Sequence, residues 1–268
     1  MLKARVITAL FLLAGLSYAL FGLPDGGWIA FVALVIGLAG WEWGRLAAFS
    51  QVACIGNGVL TAALYVALVL LGGDTARLGL YLLSAGFWIL LTPFFLARRP
   101  GIGNPVMAVL LGWLVLLPAA LAMVQLRTAG PLLLLAVMAG VWIADIGAYF
   151  VGRAFGKRKL APSISPGKSW EGAYGGAFGV LLYGFAVAFG SGHMQGVSPG
   201  GTALLAVALL VFAAVSIEGD LFESLLKRQA GIKDSSNLLP GHGGILDRID
   251  SLTSTLPLAG LALSVFSL

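Results

Sequence analysis

Acidic and basic side chains are concentrated in two neighbouring stretches of an otherwise apolar chain, residues 217–228 and 233–250. In the first stretch, Asp220, Glu223 and Lys227 are spaced i, i+3 and i+7, so a helix would place them on one face. The stretch continues directly from an apolar run, and carboxylates at a membrane boundary need a partner. A bound cation is one candidate, and ion pairing with neighbouring basic residues is the structural alternative.

The second stretch surrounds one histidine with glycine. Three glycines flank His242, and glycine lets the backbone approach a ligand closely. Asp247 and Asp250 are spaced i and i+3, so we expect them to share one face of a helix. A histidine in isolation is more often a loop residue without a special role, and we assign none to His193.

Two upstream features carry the same kinds of side chain. Asp145 lies near the end of an apolar run, where a carboxylate avoids part of the ~2.5–3.5 kcal/mol that it costs at a helix centre. An ion pair with Arg153 is the structural alternative for this residue. The segment 165–171 presents hydroxyls and Lys168 just before a predicted helix. A helix N-terminus offers free N–H groups and a positive dipole end to an anion.

This mixture of side chains indicates phosphate chemistry that depends on a metal ion. Mg²⁺ takes oxygen ligands and usually keeps water and substrate phosphates as partners. Carboxylates that hold Mg²⁺, surrounded by cations that bind phosphate oxygens, are typical of phosphoryl or nucleotidyl transfer sites. A zinc site is disfavoured, because the chain has one cysteine, Cys54, and only two histidines.

The elements that must position these residues are membrane-spanning helices. Of 268 residues, 59% are hydrophobic and 10% are charged, and the mean hydropathy is +0.99. A soluble domain carries about 25% charged residues, so much of this surface must face lipid. We predict an all-α, polytopic transmembrane helical bundle, with spans of about 20 residues. About nine windows qualify: residues 5–22, 27–44, 54–72, 78–97, 105–126, 131–151, 171–190, 203–219 and 251–268.

The placement of Lys and Arg predicts the orientation. With the N-terminus in the cytoplasm, all but two of the sixteen basic residues, Arg77 and Arg127, fall in inside segments. The net charge of +5 therefore follows from topology, and no nucleic-acid-binding motif is present. We predict a transmembrane scaffold over residues 1–130 and a catalytic region over 131–268. Four glycines of the seventh window, between residues 172 and 179, predict close helix contact within or between subunits.

The charged motifs resemble those of a known enzyme family. From Ser224 onward the chain has Lys227-Arg228, Lys233-Asp234, Pro-Gly-His-Gly-Gly at 240–244 and Asp247-Arg248-Ile-Asp250. This run is similar to the signature of the phosphatidate cytidylyltransferases, or CDP-diacylglycerol synthases, with no departure at its fixed positions. Residues 145–149 and 165–172 also match family motifs, so the resemblance covers about residues 140–252. The N-terminal half adds a weaker similarity at Trp41-Glu42-Trp43.

The resemblance implies that CTP and phosphatidate react to give CDP-diacylglycerol and pyrophosphate in an integral membrane homodimer. Mg²⁺ is the expected cofactor, with a second cation left open. Asp220 and Asp247 would hold the metal centre, and with Lys168 they form the expected catalytic set. Substrate binding is predicted for the other polar residues of the motifs: Asp145, Ser165, Ser169, Glu223, Lys227, Arg228, Lys233, Asp234, His242, Arg248 and Asp250.

Two other functions stay open at this point. A CTP-dependent lipid or polyprenol kinase needs a similar charged site but releases CDP instead of pyrophosphate. An ion transporter would use Asp145 and Asp220 to line a path across the membrane. The expected location is a bacterial inner membrane, with the site on the cytoplasmic face, where CTP and a membrane lipid both have access.

Overall fold

A computed structural model describes residues 2–192 and 196–266, so the prediction for His193 lies outside the described residues. Within these ranges, eight helical segments are long and apolar enough to cross a membrane, which confirms the polytopic bundle and makes the chain an integral membrane protein. The elements are α1 (Leu2–Gly22), α2 (Asp25–Leu46), α3 (Gln51–Leu71), α4 (Asp74–Gly86), a π-helix (Phe87–Leu91), α5 (Thr92–Arg98), α6 (Pro105–Ala129), α7 (Pro131–Phe155), β1 (Lys159–Ala161), β2 (Ser165–Ser169), α8 (Trp170–Gly190), α9 (Pro199–Gln229) and α10 (Leu246–Phe266).

The predicted windows correspond to these helices with two differences. The first window matches α1, whose described apolar part, Val6–Gly22, is shorter than the other spans. The window 203–219 ends too early, because α9 continues to Gln229 as one helix of 31 residues. Apolarity falls where the charged stretch begins, but Leu, Glu, Lys and Arg all favour helix, so the backbone hydrogen bonding continues. The charged stretch is therefore held rigidly on the end of a membrane span.

α10 packs between helices of both halves, with contacts to α4 and α6 of the N-terminal half and to α7 and α9 of the C-terminal half. Its Ser and Thr residues bond backbone carbonyls instead of facing lipid. Ser254 Oγ donates to the carbonyl of Val215 at 2.8 Å, and Ser251 Oγ donates to that of Ser216 at 3.0 Å, which joins α10 to α9. Hydroxyls that bond between helices are typical of packed membrane interiors. The modest apolarity of α10 therefore reflects a position inside the bundle.

An aromatic cluster supports α9 from the N-terminal half. Phe222 of α9 lies at the centre of this cluster, and its ring is fully buried. It contacts Trp43 of α2, Phe87 and Trp88 of the π-helix and Phe95 of α5, with ring centroids 5.4–6.4 Å apart. Offset and edge-to-face aromatic pairs each add about 0.5–1.5 kcal/mol beyond their buried area. The scaffold helices thereby fix the segment that carries the charged residues.

α7 and α8 pack so closely that several positions have no room for a side chain. A Cβ on Gly147 would lie 2.9 Å from the carbonyl oxygen of Gly175, and one on Gly176 would lie 2.7 Å from that of Ala144. Small residues allow membrane helices to approach in this way. The glycines of the seventh predicted window therefore serve a contact within the subunit, between α7 and α8.

A short antiparallel hairpin interrupts the helical fold between α7 and α8. It pairs Lys159 with Ser169 and Ala161 with Ser165. The sequence gives no sign of these strands, because β2 contains Pro166 and Gly167 and has no alternating apolar pattern. Arg228 Nε of α9 donates to the carbonyl of Ile164 at 3.3 Å, next to the turn. The hairpin therefore rests on the charged end of α9.

Candidate active site

A cavity of about 440 Å³ lies between α7, β2, α8 and α9. Its described lining contains four charged side chains: Asp145, Arg153, Lys168 and Asp220. We call these four residues the open group. The hydroxyl residues Ser165 and Ser169 also line the cavity, and the rest of the lining is mostly small or apolar. The cavity therefore brings together predicted site residues from three separate motifs.

Lys168 and Asp220 form the central ion pair of the open group. Lys168 Nζ lies 2.6 Å from Asp220 Oδ2, and the two side chains are 24% and 31% exposed. Ser224 Oγ donates to the other carboxylate oxygen, Asp220 Oδ1, at 3.2 Å. Accessible ion pairs contribute about 0–1 kcal/mol, so the exchange of either partner for a ligand costs little. The pair is therefore suited to bind and release charged substrates.

Asp145 faces the same charges and does not form the alternative ion pair with Arg153. Arg153 Nη1 donates instead to the phenol oxygen of Tyr149 at 2.9 Å. Asp145 is close enough to Asp220, Lys168 and Arg248 for their charges to interact. The carboxylate at the end of the apolar run is therefore part of the site.

Asp250 joins this set from the fifth position of α10. Its charge interacts with Asp220, Asp145 and Lys168, and its Oδ1 accepts the N–H of Ser251 at 2.8 Å. Three predicted carboxylates from three helices, α7, α9 and α10, are therefore near one another at the charged end of the bundle.

Asp247 belongs to a different arrangement, which we call the closed network: Glu42, Glu223, Lys227, Ser235 and Asp247. Lys227 Nζ lies 2.5 Å from Glu223 Oε2 and 2.6 Å from Asp247 Oδ1. Their side chains are only 11%, 6% and 5% exposed for Lys227, Glu223 and Asp247. The expected helical face is therefore divided, since Glu223 pairs with Lys227 while Asp220 turns to Lys168.

The second oxygen of Asp247 holds the loop before α10. Asp247 Oδ2 accepts the N–H of Ser235 at 2.9 Å, its hydroxyl at 2.9 Å and the N–H of Gly244 at 2.7 Å. Asp247 Oδ1 accepts only from Lys227, so it keeps a free lone pair. The described lining of the cavity does not include Asp247. Its predicted role as a metal ligand stays a prediction, and any contact with the metal would use Oδ1.

Glu42 of α2 completes the closed network and was not among the predicted site residues. It is fully buried, at 0% exposure. Its two oxygens accept from the hydroxyls of Ser235 and Ser236, at 3.1 and 2.6 Å, and from the N–H groups of Ile245 and Leu246, at 2.9 and 2.7 Å. Ser235 has one hydroxyl proton, which Glu42 Oε2 shares with Asp247 Oδ2, so the three other donors satisfy most of this carboxylate without a basic partner. The weak similarity at Trp41-Glu42-Trp43 was the one signal that pointed to it.

The start of α8 is organised by its own first turn. Ser169 Oγ accepts the N–H of Gly172 at 3.2 Å, the geometry of a helix N-cap. Glu171 accepts the N–H groups of Lys157 and Arg158, at 3.0 and 3.2 Å, and so fixes the loop that leads into the hairpin. The predicted helix start after Lys168 is confirmed, and the cap orients the hydroxyl and lysine residues of β2 toward the cavity.

The remaining predicted ligands lie at the edge of the site. Arg228 supports the hairpin through Ile164, as described above. Lys233 and Asp234 are exposed and make no hydrogen bond or ion pair within the described parts of the chain. His242 lies in a turn between Gly241 and Gly243, both of which have positive φ angles. Its Nδ1 is buried without a partner among the described residues. The substrate-binding roles of these residues stay predictions.

The donor set at the cavity fits Mg²⁺ by its chemistry. Asp145 and Asp220 present hard carboxylate oxygens to the cavity, with Asp250 within electrostatic range. The described residues contain no group of three or more His, Cys, Asp or Glu placed to hold a metal by themselves. Mg²⁺ is commonly bound through one or two carboxylates, with substrate phosphates and water as its other ligands. The open group is therefore suited to a metal that arrives with a nucleotide.

Comparisons with known proteins show the family of this chain. The profile of the Cytidylyltransferase family matches residues 3–266. A phosphatidate cytidylyltransferase from Pseudomonas aeruginosa is 48% identical over 265 residues, which cover 96% of this chain and 95% of that protein. Proteins of the same name from Haemophilus influenzae and Brucella suis are 38% and 37% identical, and cover 96% and 99% of this chain and 96% and 94% of their own lengths. The chain therefore belongs to the cytidylyltransferase family.

Proposed function

We propose that this protein is a phosphatidate cytidylyltransferase, which converts CTP and phosphatidate to CDP-diacylglycerol and pyrophosphate. The observation that carries the proposal is the cavity between membrane-spanning helices, in which Lys168 and Asp220 form an accessible ion pair beside Asp145. The family assignment and the names of the relatives support the same reaction. A nucleotidyl transfer to a lipid needs charged groups at the membrane boundary, and the open group provides them.

The reaction is an in-line displacement at the α-phosphorus of CTP. A phosphate oxygen of phosphatidate forms the new P–O bond, and the bond from the α-phosphorus to the bridging oxygen of pyrophosphate breaks. A phosphate monoester has a second pKa near 6 and is mostly ionised at pH 7, so no side chain has to remove a proton. The task of the chain is therefore to bring two anions together and to stabilise the charge that develops.

Individual residues carry parts of this task. Lys168 is placed to leave Asp220 and bind the reacting phosphate, because its ion pair is accessible. Asp220 and Asp145 would hold Mg²⁺, and Asp247 would add a ligand through Oδ1. Mg²⁺, when bound, supplies positive charge that offsets the charge of the triphosphate and of the leaving pyrophosphate. The N-terminus of α8 adds a positive dipole end next to Ser165 and Ser169.

The position of the site supports a cytoplasmic orientation in a bacterial inner membrane. The ends of α2 and α9 that carry Arg45 and Lys227 meet at the loop before α10. Arg127 lies at the opposite end of the bundle, where it pairs with Asp25 of α2 at 3.0 Å. Under the positive-inside rule, this arrangement supports a cavity that faces the cytoplasm, where CTP is available. The resemblance to the family further supports a homodimer.

The direct test is incubation of the purified protein with labelled CTP, phosphatidate and Mg²⁺, followed by lipid extraction. The proposal expects label in CDP-diacylglycerol, pyrophosphate release in equal amount and no turnover after chelation of Mg²⁺. Release of CDP with a phosphorylated lipid would instead identify a CTP-dependent kinase. Solute flux into liposomes without consumption of nucleotide would identify a transporter.

A further inference from the structure

The two cations of the open group differ in what they already bind. Lys168 is paired with Asp220 at 2.6 Å. Arg153 has no carboxylate partner among the described residues, and its one side-chain hydrogen bond goes to the phenol oxygen of Tyr149 at 2.9 Å. A guanidinium has five N–H donors, so most of its donor capacity faces the cavity and the surrounding water. Arg153 is therefore the charged lining residue most available to an incoming anion.

Tyr149 adds a donor to the same place. Its oxygen accepts from Arg153, and its own O–H has no acceptor among the described residues. Arg153 and Tyr149 are one turn apart on α7, and both line the cavity. A guanidinium and a phenol side by side form a compact set of donors for phosphate oxygens.

The cavity changes in character along its length. Its lining on α7 runs from Arg153 to Ala144, a separation of about 13 Å along a helix. On α9, the lining residues Ala213 and Ile217 precede Asp220 and are apolar. Ala144 and Ala213 pack in a small apolar cluster between α7, α8 and α9. Charged side chains therefore line the cavity from Arg153 to Asp145, and only beyond Asp145, at Ala144 and Ala213, is the lining apolar as it leads toward the membrane interior.

The residues beside the charged end place it at the level of lipid headgroups. Tyr149 and Phe150 at the end of α7, and Trp170 and Tyr174 at the start of α8, are all exposed on the surface of the bundle. Aromatic side chains of this kind are typical of the boundary between membrane and water. A molecule with a phosphate head and an acyl tail matches both the depth and the polarity of this cavity.

Resting on the proposed function, we infer that Arg153, with Tyr149, binds the phosphate monoester of the lipid substrate, while the triphosphate of CTP is left to Lys168 and the carboxylate-bound metal. Lipid phosphate and nucleotide phosphate share the same chemistry, so the two sources have to be separated by experiment. The apolar end of the cavity favours the lipid. Arg153 is in this view the residue that selects phosphatidate over neutral diacylglycerol.

The test compares Arg153→Ala with Arg158→Ala in the purified full-length protein. Arg158 lies just after the end of α7, 3.7 Å from Glu171, and is not among the described cavity-lining residues, so it controls for the loss of one positive charge. We expect Arg153→Ala to raise the KM for phosphatidate about tenfold or more, with the KM for CTP changed less than about twofold. Arg158→Ala should leave both values near those of the parent protein.

Two milder variants keep the test informative if Arg153→Ala does not fold. Arg153→Lys keeps the charge but loses the planar fork, so we expect a smaller rise in the KM for phosphatidate. Tyr149→Phe should raise the same constant severalfold. A rise in the KM for CTP alone, an equal rise in both constants, or no change in either would overturn the assignment.

A binding measurement separates this inference from the proposed reaction. Titration of the protein with dioctanoyl phosphatidate in detergent, without CTP, should show binding that Arg153→Ala weakens about tenfold or more. Dioctanoylglycerol, which lacks the phosphate, should bind the two proteins alike. This result would hold even if the nucleotide product showed a different reaction. Equal binding of phosphatidate by both proteins would contradict the role of Arg153.

Discussion

The open group and the closed network are built from the same kinds of side chain but have opposite surroundings. In the open group, Lys168 and Asp220 are about one quarter and one third exposed and face a cavity. In the closed network, Lys227 and Asp247 are almost fully buried, and most of their bonding capacity is used. Accessible ion pairs exchange partners cheaply, whereas breaking a buried pair is costly. One region is therefore suited to bind ligands and the other to hold the backbone in place.

The largest expected effect comes from neutralising the carboxylate at the centre of the open group. Asp220→Asn should reduce turnover by about 10²–10³-fold or more, because a charge that stabilises the reaction is lost. The free energy of unfolding should change by less than about 1 kcal/mol, since the ion pair is accessible. Steady-state kinetics and thermal unfolding in detergent measure the two quantities.

The matched control for Asp220→Asn is Asp25→Asn. Asp25 also forms an ion pair, with Arg127 at 3.0 Å, but at the opposite end of the bundle. Its replacement should leave turnover unchanged. If Asp220→Asn unfolded the protein while Asp25→Asn did not, the open group would be structural and the comparison would fail.

Breaking the buried pair should affect stability more than any change in the open group. Lys227→Met leaves Glu223 and Asp247 buried without their cation, which costs about 3–5 kcal/mol. Thermal unfolding should show a large loss, and the double variant with Glu223→Gln should recover part of it. Unchanged stability with a raised KM for CTP would show that Lys227 binds the substrate and does not stabilise the closed network.

A smaller loss is expected when Glu42 becomes an amide. Glu42→Gln keeps the volume but replaces one acceptor oxygen with an NH2 donor that faces other donors, so we expect a loss of about 1–3 kcal/mol in the free energy of unfolding. Turnover should fall as well, because the loop that holds Asp247 loosens. Glu218→Gln is the control, since Glu218 makes no hydrogen bond or ion pair in the described structure. An equal loss of stability in both variants would show that the hydrogen bonds of Glu42 do not stabilise the loop before α10.

The smallest effect distinguishes a helix cap at the site from a helix cap elsewhere. Ser169→Ala and Ser198→Ala remove the N-caps of α8 and α9, and each should cost about 1 kcal/mol of stability. Only Ser169 lines the cavity, so only Ser169→Ala should also lower turnover, by severalfold. Equal activity in the two variants would show that the start of α8 contributes to the fold alone.

The sequence predicts the spans and three of the four residues of the open group because both depend on local pattern, whereas Arg153 was not among the predicted site residues. Apolar runs of span length identify the helices, and Asp145, Lys168 and Asp220 each lie in a motif with a recognisable composition. Charged residues near apolar runs are rare enough to be noticed one at a time. These three residues line one cavity because the parts of α7, α8 and α9 that carry or adjoin them lie on the same side of the bundle.

The closed network is harder to predict because its contacts are distant in sequence. Glu42 meets residues of the loop before α10, and nothing local in α2 marks it as a ligand for that loop. Helical spacing placed Asp220 with Lys227 on one face, but it does not reveal that Lys168 and Asp247 arrive from other elements to take separate partners. The hairpin was missed for a similar reason, since contacts with α9 stabilise it more than its own composition.

The central position of α10 has a consequence for how the protein assembles. α10 follows α4, α6, α7 and α9 in the chain, yet it packs against all four. During synthesis these helices precede α10, so their contacts with α10 are the last to form. The hydroxyls of Ser251 and Ser254 then close hydrogen bonds to α9. The carboxylates of Asp247 and Asp250 arrive in the same step, so the closed network and the carboxylates beside the cavity are both completed only by α10.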